Sequence, residues 1–392
     1  MRDMPRRHDI DTLRILAFGL VMVYHLGMAY VADWPWHLKS AHTAEWLQWP
    51  MRALNFWRLD LVFLVSGLAL GLLMRRRADG VSDRALWRQR SARLLLPLAF
   101  GMAVVVPYQA YAQALAGGFV GPGFGAFLWR YVQGGPWPAQ AFDGAHIGVT
   151  WNHLWFLPYL WIYTSVLLLA RRALAPLGPR FQALRGAGLM LVPLVPLMLW
   201  SLLLRPHFPP THDLVGDGWL HAVYFTVFVC GWWVGTDAAL WRELVRLRWR
   251  ALALAALAFG THWGLRQGLA TPMPWARLAA DAVSWWAVVA VLGFAHRHLN
   301  RPWPWLGWAR ESVYPWYVLH QTLIVAALAG LAPLGLGPAA EPLGVLALAV
   351  LGCWALNDGL IRRVGWLRAC FGLAPRPPLL RPPTAAVGRS RV

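Results

Sequence analysis

Long apolar stretches alternate with short basic or Pro- and Gly-rich segments along the whole 392-residue chain. The first stretch, residues 13–31, is long enough to cross a bilayer, since about 20 apolar residues span the hydrocarbon core. No strand-like alternation competes with this pattern, and no internal repeat is visible. The pattern therefore predicts an all-α fold, a polytopic membrane bundle of about ten transmembrane helices. They begin near Leu13, Leu59, Leu94, Asn152, Gly188, Trp219, Trp249, Leu278, Val313 and Gly344.

The first apolar stretch carries two ionisable residues, Arg14 and His25. Eleven residues are about three helical turns, so both side chains lie in one stripe with Phe18 and Val21, ~16 Å apart along the axis. An ionisable group at this depth is expected to face the bundle interior or a water-filled path. The alternative interpretation is a buried histidine bonded to a neighbouring helix and an arginine that extends to the headgroups.

Composition agrees with a membrane protein, because 58% of the residues are hydrophobic, 14% are charged and the mean hydropathy is +0.44. A net charge of +19 would suggest nucleic acid as a partner of a soluble protein. Here the basic residues lie between apolar spans, so membrane topology explains them and no nucleic-acid partner is expected. The three cysteines have no metal-ligand spacing, and no metal site is predicted. Residues 13–31 lack a cleavage site and are expected to remain in the membrane.

The loop charges predict the orientation of the bundle. About four times as many arginines and lysines fall on the side of the N-terminus as on the other side, and they alternate loop by loop. Both termini are therefore predicted to be cytoplasmic. Residues 1–365 form the expected bundle, and residues 366–392 form a cytoplasmic tail rich in Pro and Arg that is expected to be disordered. Two long outer segments, residues 32–58 and 112–151, are rich in tryptophan, which anchors helices at the interface or covers a sugar face.

Several further polar residues are candidates for a site. Ser66 and Gly67 give the second span a small-residue face for a ligand or, alternatively, for helix packing. Arg90 and Arg93 form a basic pair at a cytoplasmic helix entrance, suited to phosphate or to simple anchoring. His153 begins the fourth span, on the side where the first span ends.

The ninth span places Tyr314, Tyr317 and Gln321 on one helical face, with His320 beside them. A polar stripe within a membrane helix normally faces protein or a cavity. The sequence contains no GxSxG, HExxH, Walker or Rossmann motif, which argues against the usual soluble hydrolases, proteases, ATPases and dehydrogenases.

What remains is a histidine that could act as a base, with arginines that lead from the cytoplasm towards it. A base without a protein nucleophile suits transfer of an activated group to an external hydroxyl. The basic entrance suits a phosphorylated donor such as acyl-coenzyme A. A transporter or flippase for a saccharide or lipid-linked intermediate, with His and Arg as a proton relay, is the alternative. A structural membrane subunit is a third possibility.

At these residues the chain resembles the membrane-bound acyltransferase family 3. The Arg14–His25 spacing after Asp11 and Thr12 matches the signature of the first helix of that family. Four further motifs follow in family order, and within the family the chain looks most like the branch that acylates periplasmic glucans, that of glucan biosynthesis protein C. These motifs are residues 63–67, Arg90 to Leu94 with Pro97, residues 153–157, and residues 312–320.

The resemblance implies an integral O-acyltransferase of the bacterial inner membrane, with acyl-CoA as donor substrate and no bound cofactor. The acceptor would be a hydroxyl of an extracytoplasmic glycan. His25 would be the catalytic base, with an acyl-histidine intermediate as a variant, and Arg14 would contact the donor. The substrate-binding candidates carried over are Arg90, Arg93, Ser66, His153, Tyr314, Tyr317 and His320. The acyl group, acetyl or succinyl, and the oligomeric state stay open.

Overall fold

The computed structural model describes residues 7–76, 82–267 and 274–374, and their regular structure is helical. Apart from one isolated bridge between Val31 and Ala44, these ranges contain no strand pairing. The all-α prediction is therefore confirmed. The helices are α1 (His8–Tyr30), α2 (Gln48–Asn55), α3 (Arg58–Arg76), α4 (Asp83–Phe100), α5 (Pro107–Ala116), α6 (Phe124–Val132), α7 (Phe156–Leu174), α8 (Leu177–Gln182), α9 (Ala187–Leu191), α10 (Leu194–Leu203), α11 (Gly218–Val234), α12 (Ala238–Gln267), α13 (Pro274–His298), α14 (Leu306–Leu331), α15 (Ala340–Leu356) and α16 (Gly365–Cys370).

The chain is a multi-pass membrane protein. Within the described ranges, seven helical stretches are long and apolar enough to cross a membrane, and α11 with α12, bent by 118° at their junction, bring the number to eight. A shorter apolar stretch, Ala187–Leu203, contains α9 and α10. Eight of the ten predicted starting positions fall in a different one of these stretches each, and the other two, Trp219 and Trp249, fall in the two arms of the bent pair. The prediction of about ten spans is thus close to the observed seven or eight. The difference arises because the prediction counts the short stretch Ala187–Leu203 as a span and the bent pair as two spans.

Helix α1 is fixed at both ends, which gives its polar stripe a defined position. At the start, the buried carboxylate of Asp9 accepts hydrogen bonds from Arg7 Nη2 at 2.6 Å and from His296 Nδ1 at 2.7 Å. At the end, Lys39 Nζ donates to the carbonyl of Met28 at 2.8 Å, where helix carbonyls lack partners and favour a cation. Between these ends α1 packs against α3, α13, α14 and α15.

Two glycines allow α3 and α11 to cross with their backbones in contact. A Cβ atom added at Gly67 would collide with the carbonyl oxygen of Phe228, and one added at Gly231 would collide with that of Leu64. Small residues permit such close approach of membrane helices, where van der Waals packing drives association. The small-residue face of the second span is thus used for helix packing.

The outer segment 112–151 contains α6 and builds a small core of its own with α5. Tyr131 lies at its centre, where the hydroxyl donates to the carbonyl of Thr150 at 3.0 Å and accepts from the N–H of Thr150 at 2.9 Å. This arrangement holds the end of the segment against the bundle. The core residues are Ala110, Ala114, Phe127, Tyr131, Ala141, Phe142 and Ala145.

The first part of the predicted tail, residues 366–374, is described and follows the bundle closely. It includes most of α16, in which Arg368 Nη2 donates to Glu311 of α14 at 2.8 Å. After this helix, Gly372, with φ +68°, packs against the ring of Tyr314. The remaining tail, residues 375–392, lies outside the described residues, as do the basic residues Arg2, Arg6 and Arg77.

Candidate active site

Two histidines from helices far apart in sequence meet inside the bundle. His25 Nδ1 of α1 lies 2.8 Å from His320 Nε2 of α14, and the two rings are nearly parallel with centroids 5.0 Å apart. His153, which begins the fourth span, lies close to both, with ring centroids 6.4 Å from His25 and 5.1 Å from His320. The structure therefore brings together three of the histidines that the sequence singles out.

The hydrogen bonds of the pair assign its tautomers. His320 Nδ1 lies 2.7 Å from the carbonyl oxygen of Tyr317 and must donate, because a carbonyl only accepts. In a neutral ring, His320 Nε2 is then an acceptor, and His25 Nδ1 donates to it. This leaves the lone pair on His25 Nε2, to which no described residue donates a hydrogen bond. His25 thus keeps a basic nitrogen available, while His320 fixes its ring.

His153 is held by groups that leave it no free nitrogen. Its Nε2 lies 3.0 Å from the carbonyl of Val318 and donates, and its Nδ1 accepts from Gln109 Nε2 at 3.3 Å. Gln109 Oε1 in turn accepts from Asn152 at 3.0 Å and from Gln321 at 2.9 Å. This network fixes the orientation of the His153 ring beside the histidine pair.

His37, from the segment after α1, extends the network towards the end of the bundle that is predicted to face outward. Its Nε2 accepts from Gln321 Nε2 at 2.8 Å, and its Nδ1 donates to Gln113 Oε1 at 2.7 Å. Burial lowers the pKa of His37, and the Asp143 carboxylate, 3.7 Å away, acts in the opposite direction. A neutral ring satisfies both hydrogen bonds.

A large cavity of about 850 Å³ reaches His25, and we call it the outer cavity after the predicted orientation of the bundle. Its walls come from α1, α3, α11, α13 and α14, and its roof comes from segments 143–153 and 205–213. Phe18, Val21 and His25, three of the four members of the predicted stripe, line it. The lining is mixed polar and aromatic and includes four tryptophans, namely Trp36, Trp151, Trp155 and Trp219.

The segment between α10 and α11 is organised around Asp217. This carboxylate is fully buried and accepts from the N–H groups of Thr211 at 2.6 Å and His212 at 2.7 Å, and also from the hydroxyl of Tyr159. Burial raises the pKa of Asp217, but these hydrogen bonds outweigh burial and hold the pKa below its ordinary value of 3.8. The ionised carboxylate therefore stabilises the roof of the cavity.

A second, apolar cavity of about 170 Å³ lies between α1 and α14 and reaches His320. It extends from Trp308, near the beginning of α14, to His320. Phe18 and Tyr317 line both cavities, and their rings meet edge to face with centroids 5.4 Å apart. This aromatic pair therefore divides the two cavities beside the histidine pair.

Three arginines meet near the opposite end of the predicted stripe. The charge of Arg14 is repelled by that of Arg93, and the charge of Arg90 by those of both others. Asp11 attracts Arg14, and the hydroxyl of Tyr314 donates to the carbonyl of Arg93 at 2.9 Å. Asp11 offsets only part of the charge of the three guanidinium groups, so the cluster keeps a net positive charge that suits an anion.

The remaining substrate-binding candidates divide by position. Tyr317 and His153 line the outer cavity, Tyr314 lies with the arginines, and Ser66 lies at neither place. The hydroxyl of Ser66 donates to the carbonyl of Val62 in its own helix at 2.8 Å, so the structure does not bring it to the cavity.

Sequence reasoning passed over two groups of cavity residues. The first group is Arg58, Asp60 and Asp281, and the second is His37; none of them stands out as a candidate in the sequence. In the structure all three line the outer cavity, Asp60 accepts from the hydroxyl of Ser284, and Asp281 accepts from Ser201 Oγ at 2.8 Å. The charges of Arg58, Asp60 and Asp281 near the ends of predicted spans are the sequence feature that could have identified them. No sequence pattern pointed to His37, because it lies in a segment without the periodic spacing of apolar residues that marks a helix or strand.

Comparison with known proteins adds independent findings. The sequence model of an acyltransferase family, described as "Acyltransferase domain", matches residues 7–358. Glucans biosynthesis protein C of Escherichia coli (strain K12) is 23% identical over 166 residues, which are 41% of this chain and 38% of that protein. Its counterpart in Salmonella paratyphi B is 25% identical over 167 residues, with the same coverage. The match thus spans well under half the length of these curated relatives. No solved structure matches the chain.

Proposed function

The chain belongs to the acyltransferase 3 family, whose model covers nearly its whole length, and on this premise we propose how this membrane acyltransferase works. It moves an acyl group from acyl-coenzyme A on the cytoplasmic side to a hydroxyl of a glycan on the outer side. The distribution of basic residues supports cytoplasmic termini, and the bacterial relatives support the bacterial inner membrane as the location.

The donor enters from the arginine side. Its phosphates lie against Arg14, Arg90 and Arg93, whose guanidinium groups can form charge-assisted hydrogen bonds. The thioester end of the donor follows the cavity between α1 and α14, which ends at His320. The thioester then lies beside the aromatic pair Phe18 and Tyr317.

The acceptor enters the outer cavity. Its volume of about 850 Å³ and its tryptophan-rich lining suit a sugar, because aromatic rings cover the apolar faces of the pyranose while polar groups bind the hydroxyls. The curated relatives named for glucan biosynthesis support a glucan as the acceptor class.

The chemistry follows from the histidine pair. His25 Nε2 takes the proton of the acceptor hydroxyl while its oxygen attacks the thioester carbonyl. As the new C–O bond forms, the C–S bond breaks, and the proton passes from His25 to the sulfur of coenzyme A. His320 Nε2 accepts the Nδ1–H bond throughout and stabilises the transient imidazolium of His25. Direct transfer needs no acyl-histidine, which stays the variant mechanism.

The observation that carries this proposal is the position of His25. Its unpartnered Nε2 belongs to a ring that lines the outer cavity, and its hydrogen-bond partner His320 lines the donor cavity. Transfer across the membrane requires a base between a donor cavity and an acceptor cavity that are reached from opposite sides, and His25 has this position.

The test uses the purified chain in lipid nanodiscs with radiolabelled acetyl- or succinyl-coenzyme A and oligoglucosides. We expect His25→Ala to fold but to lose about 10²- to 10⁴-fold in transfer rate, the usual contribution of a general base. His298→Ala, at an exposed position of α13, is the matched control and keeps its activity. Normal transfer by folded His25→Ala refutes the mechanism, and sugar movement without label on the glycan supports a transporter instead.

A further inference from the structure

The outer cavity contains a buried cation without a counter-ion, Arg58. Its side chain is 7% exposed, and the guanidinium lies over the ring of Tyr24, 3.4 Å from the centroid. Its Nε and Nη1 atoms are enclosed and have no hydrogen-bond partner within the described residues. Arg58 lines the cavity, and Nη2 is the nitrogen left to face it.

The surroundings do not neutralise this charge. Asp60 lies within electrostatic range, but it accepts a hydrogen bond from Ser284 and no ion pair joins it to Arg58. The ring and hydroxyl of Tyr24 both attract the cation, but they carry no negative charge and leave Nε and Nη1 without a partner. Burial of a guanidinium without a counter-ion is costly, and such a group favours a ligand that brings a negative charge into the cavity.

We propose that Arg58 binds an oxyanion, a carboxylate or a phosphate ester, that enters the outer cavity as part of the reacting molecules. This inference rests on the proposed function, because it treats the outer cavity as the acceptor site. The two N–H groups of Nη2 can donate charge-assisted hydrogen bonds to the oxygens of one oxyanion. The charge of Arg58 also acts on His25, so the oxyanion lies near the reacting hydroxyl.

The oxyanion has two possible sources. It is either the distal carboxylate of a dicarboxylic acyl group or an anionic substituent on the glycan. In the proposed donor position the phosphates lie against the arginine cluster, about 16 Å along the axis from His25 by helix geometry, and are therefore not the ligand of Arg58.

A binding experiment without turnover separates these sources. Wild-type protein in nanodiscs is titrated with O-succinyl and O-butyryl oligoglucoside in one arm, and with oligoglucoside 6-phosphate and plain oligoglucoside in the other. We expect tighter binding of the anionic ligand in one arm by about 10- to 100-fold, the usual effect of a charge-assisted hydrogen bond. The arm that shows the preference identifies the source.

Variants test whether Arg58 causes this preference. In Arg58→Gln the ratio of the two dissociation constants should fall towards one, and Arg58→Lys should keep part of it through its charge. Arg52→Gln is the matched control, since Arg52 lies over the ring of Trp34 outside the cavity and should not change the ratio.

The inference is overturned if wild-type protein shows no preference in either arm, which holds even if the Arg58 variants do not fold. An unchanged preference in folded Arg58→Gln overturns it as well. A protein that binds the anionic ligand through Arg58 but transfers no acyl group refutes the proposed function and keeps this site.

Discussion

Replacement of His320 tests the orientation of the base most directly. His320→Leu removes the acceptor 2.8 Å from His25 Nδ1 but keeps an apolar side chain of similar reach. The His25 ring then loses its fixed tautomer and the partner that stabilises its imidazolium. A hydrogen bond to a charged group contributes roughly 1.5–3 kcal/mol, which corresponds to about 10- to 150-fold in rate at 1.36 kcal/mol for each factor of ten. We therefore expect kcat to fall by about 10²-fold, with a small change in KM.

A conservative variant separates this role from a purely structural one. The amide oxygen of His320→Gln can occupy nearly the position of the ring Nε2 and accept from His25 Nδ1. We expect His320→Gln to transfer acyl groups at least about tenfold faster than His320→Leu, measured as single-turnover transfer of radiolabelled acyl groups in nanodiscs. The melting temperatures of both variants provide the control for folding. Equal loss in Leu and Gln variants of equal stability, or full activity of His320→Leu, would refute the orientation argument.

Three further predictions concern the donor site, the helix crossing and the cavity roof. Arg93→Gln should raise KM for acyl-coenzyme A by about tenfold with kcat little changed, and it should reduce discrimination against the 3′-dephospho donor, whereas Arg88→Gln at an exposed position of α4 should do neither. Gly67→Ala should destabilise the bundle by about 1–3 kcal/mol, as forced overpacking does, because its Cβ collides with the Phe228 carbonyl; Gly260→Ala, with open space around it, is the control in thermal unfolding. The lowered pKa of Asp217 means that its ionised form contributes stability above pH 3.8, and that this stability is lost as pH falls through the lower folded-state pKa. Between pH 6 and 3 the wild type should therefore lose more thermal stability than Asp217→Asn, and parallel curves would contradict this account.

The sequence alone was sufficient for the fold class and for the order of the spans. Hydropathy is a local property, and the stretches that begin near Leu13, Leu59 and Val313 are apolar enough to identify without any tertiary contact. The 3.6-residue period likewise placed Phe18, Val21 and His25 on one face, which the outer cavity now occupies. Family motifs then pointed to acyl transfer, and the family is shown by the match over residues 7–358.

Other features depended on neighbours that no local pattern specifies. Asp60 and Asp281 received their partners Ser284 and Ser201 only through packing of α13 against α3 and α10. The orphaned charge of Arg58 became visible only once its surroundings were known. Ser66 looked suited to a ligand in sequence, yet its hydroxyl is used by its own helix and its glycine neighbour by the α3–α11 crossing.

The sequence by itself thus determined which segments cross the membrane and that a histidine and an arginine share one face of the first helix, because periodicity and hydropathy act within a segment. The tertiary structure alone decided that His25 meets His320, 295 positions later in the chain, and that two cavities end at this pair. A contact between distant helices depends on how every intervening helix packs, and that information is distributed over the whole bundle.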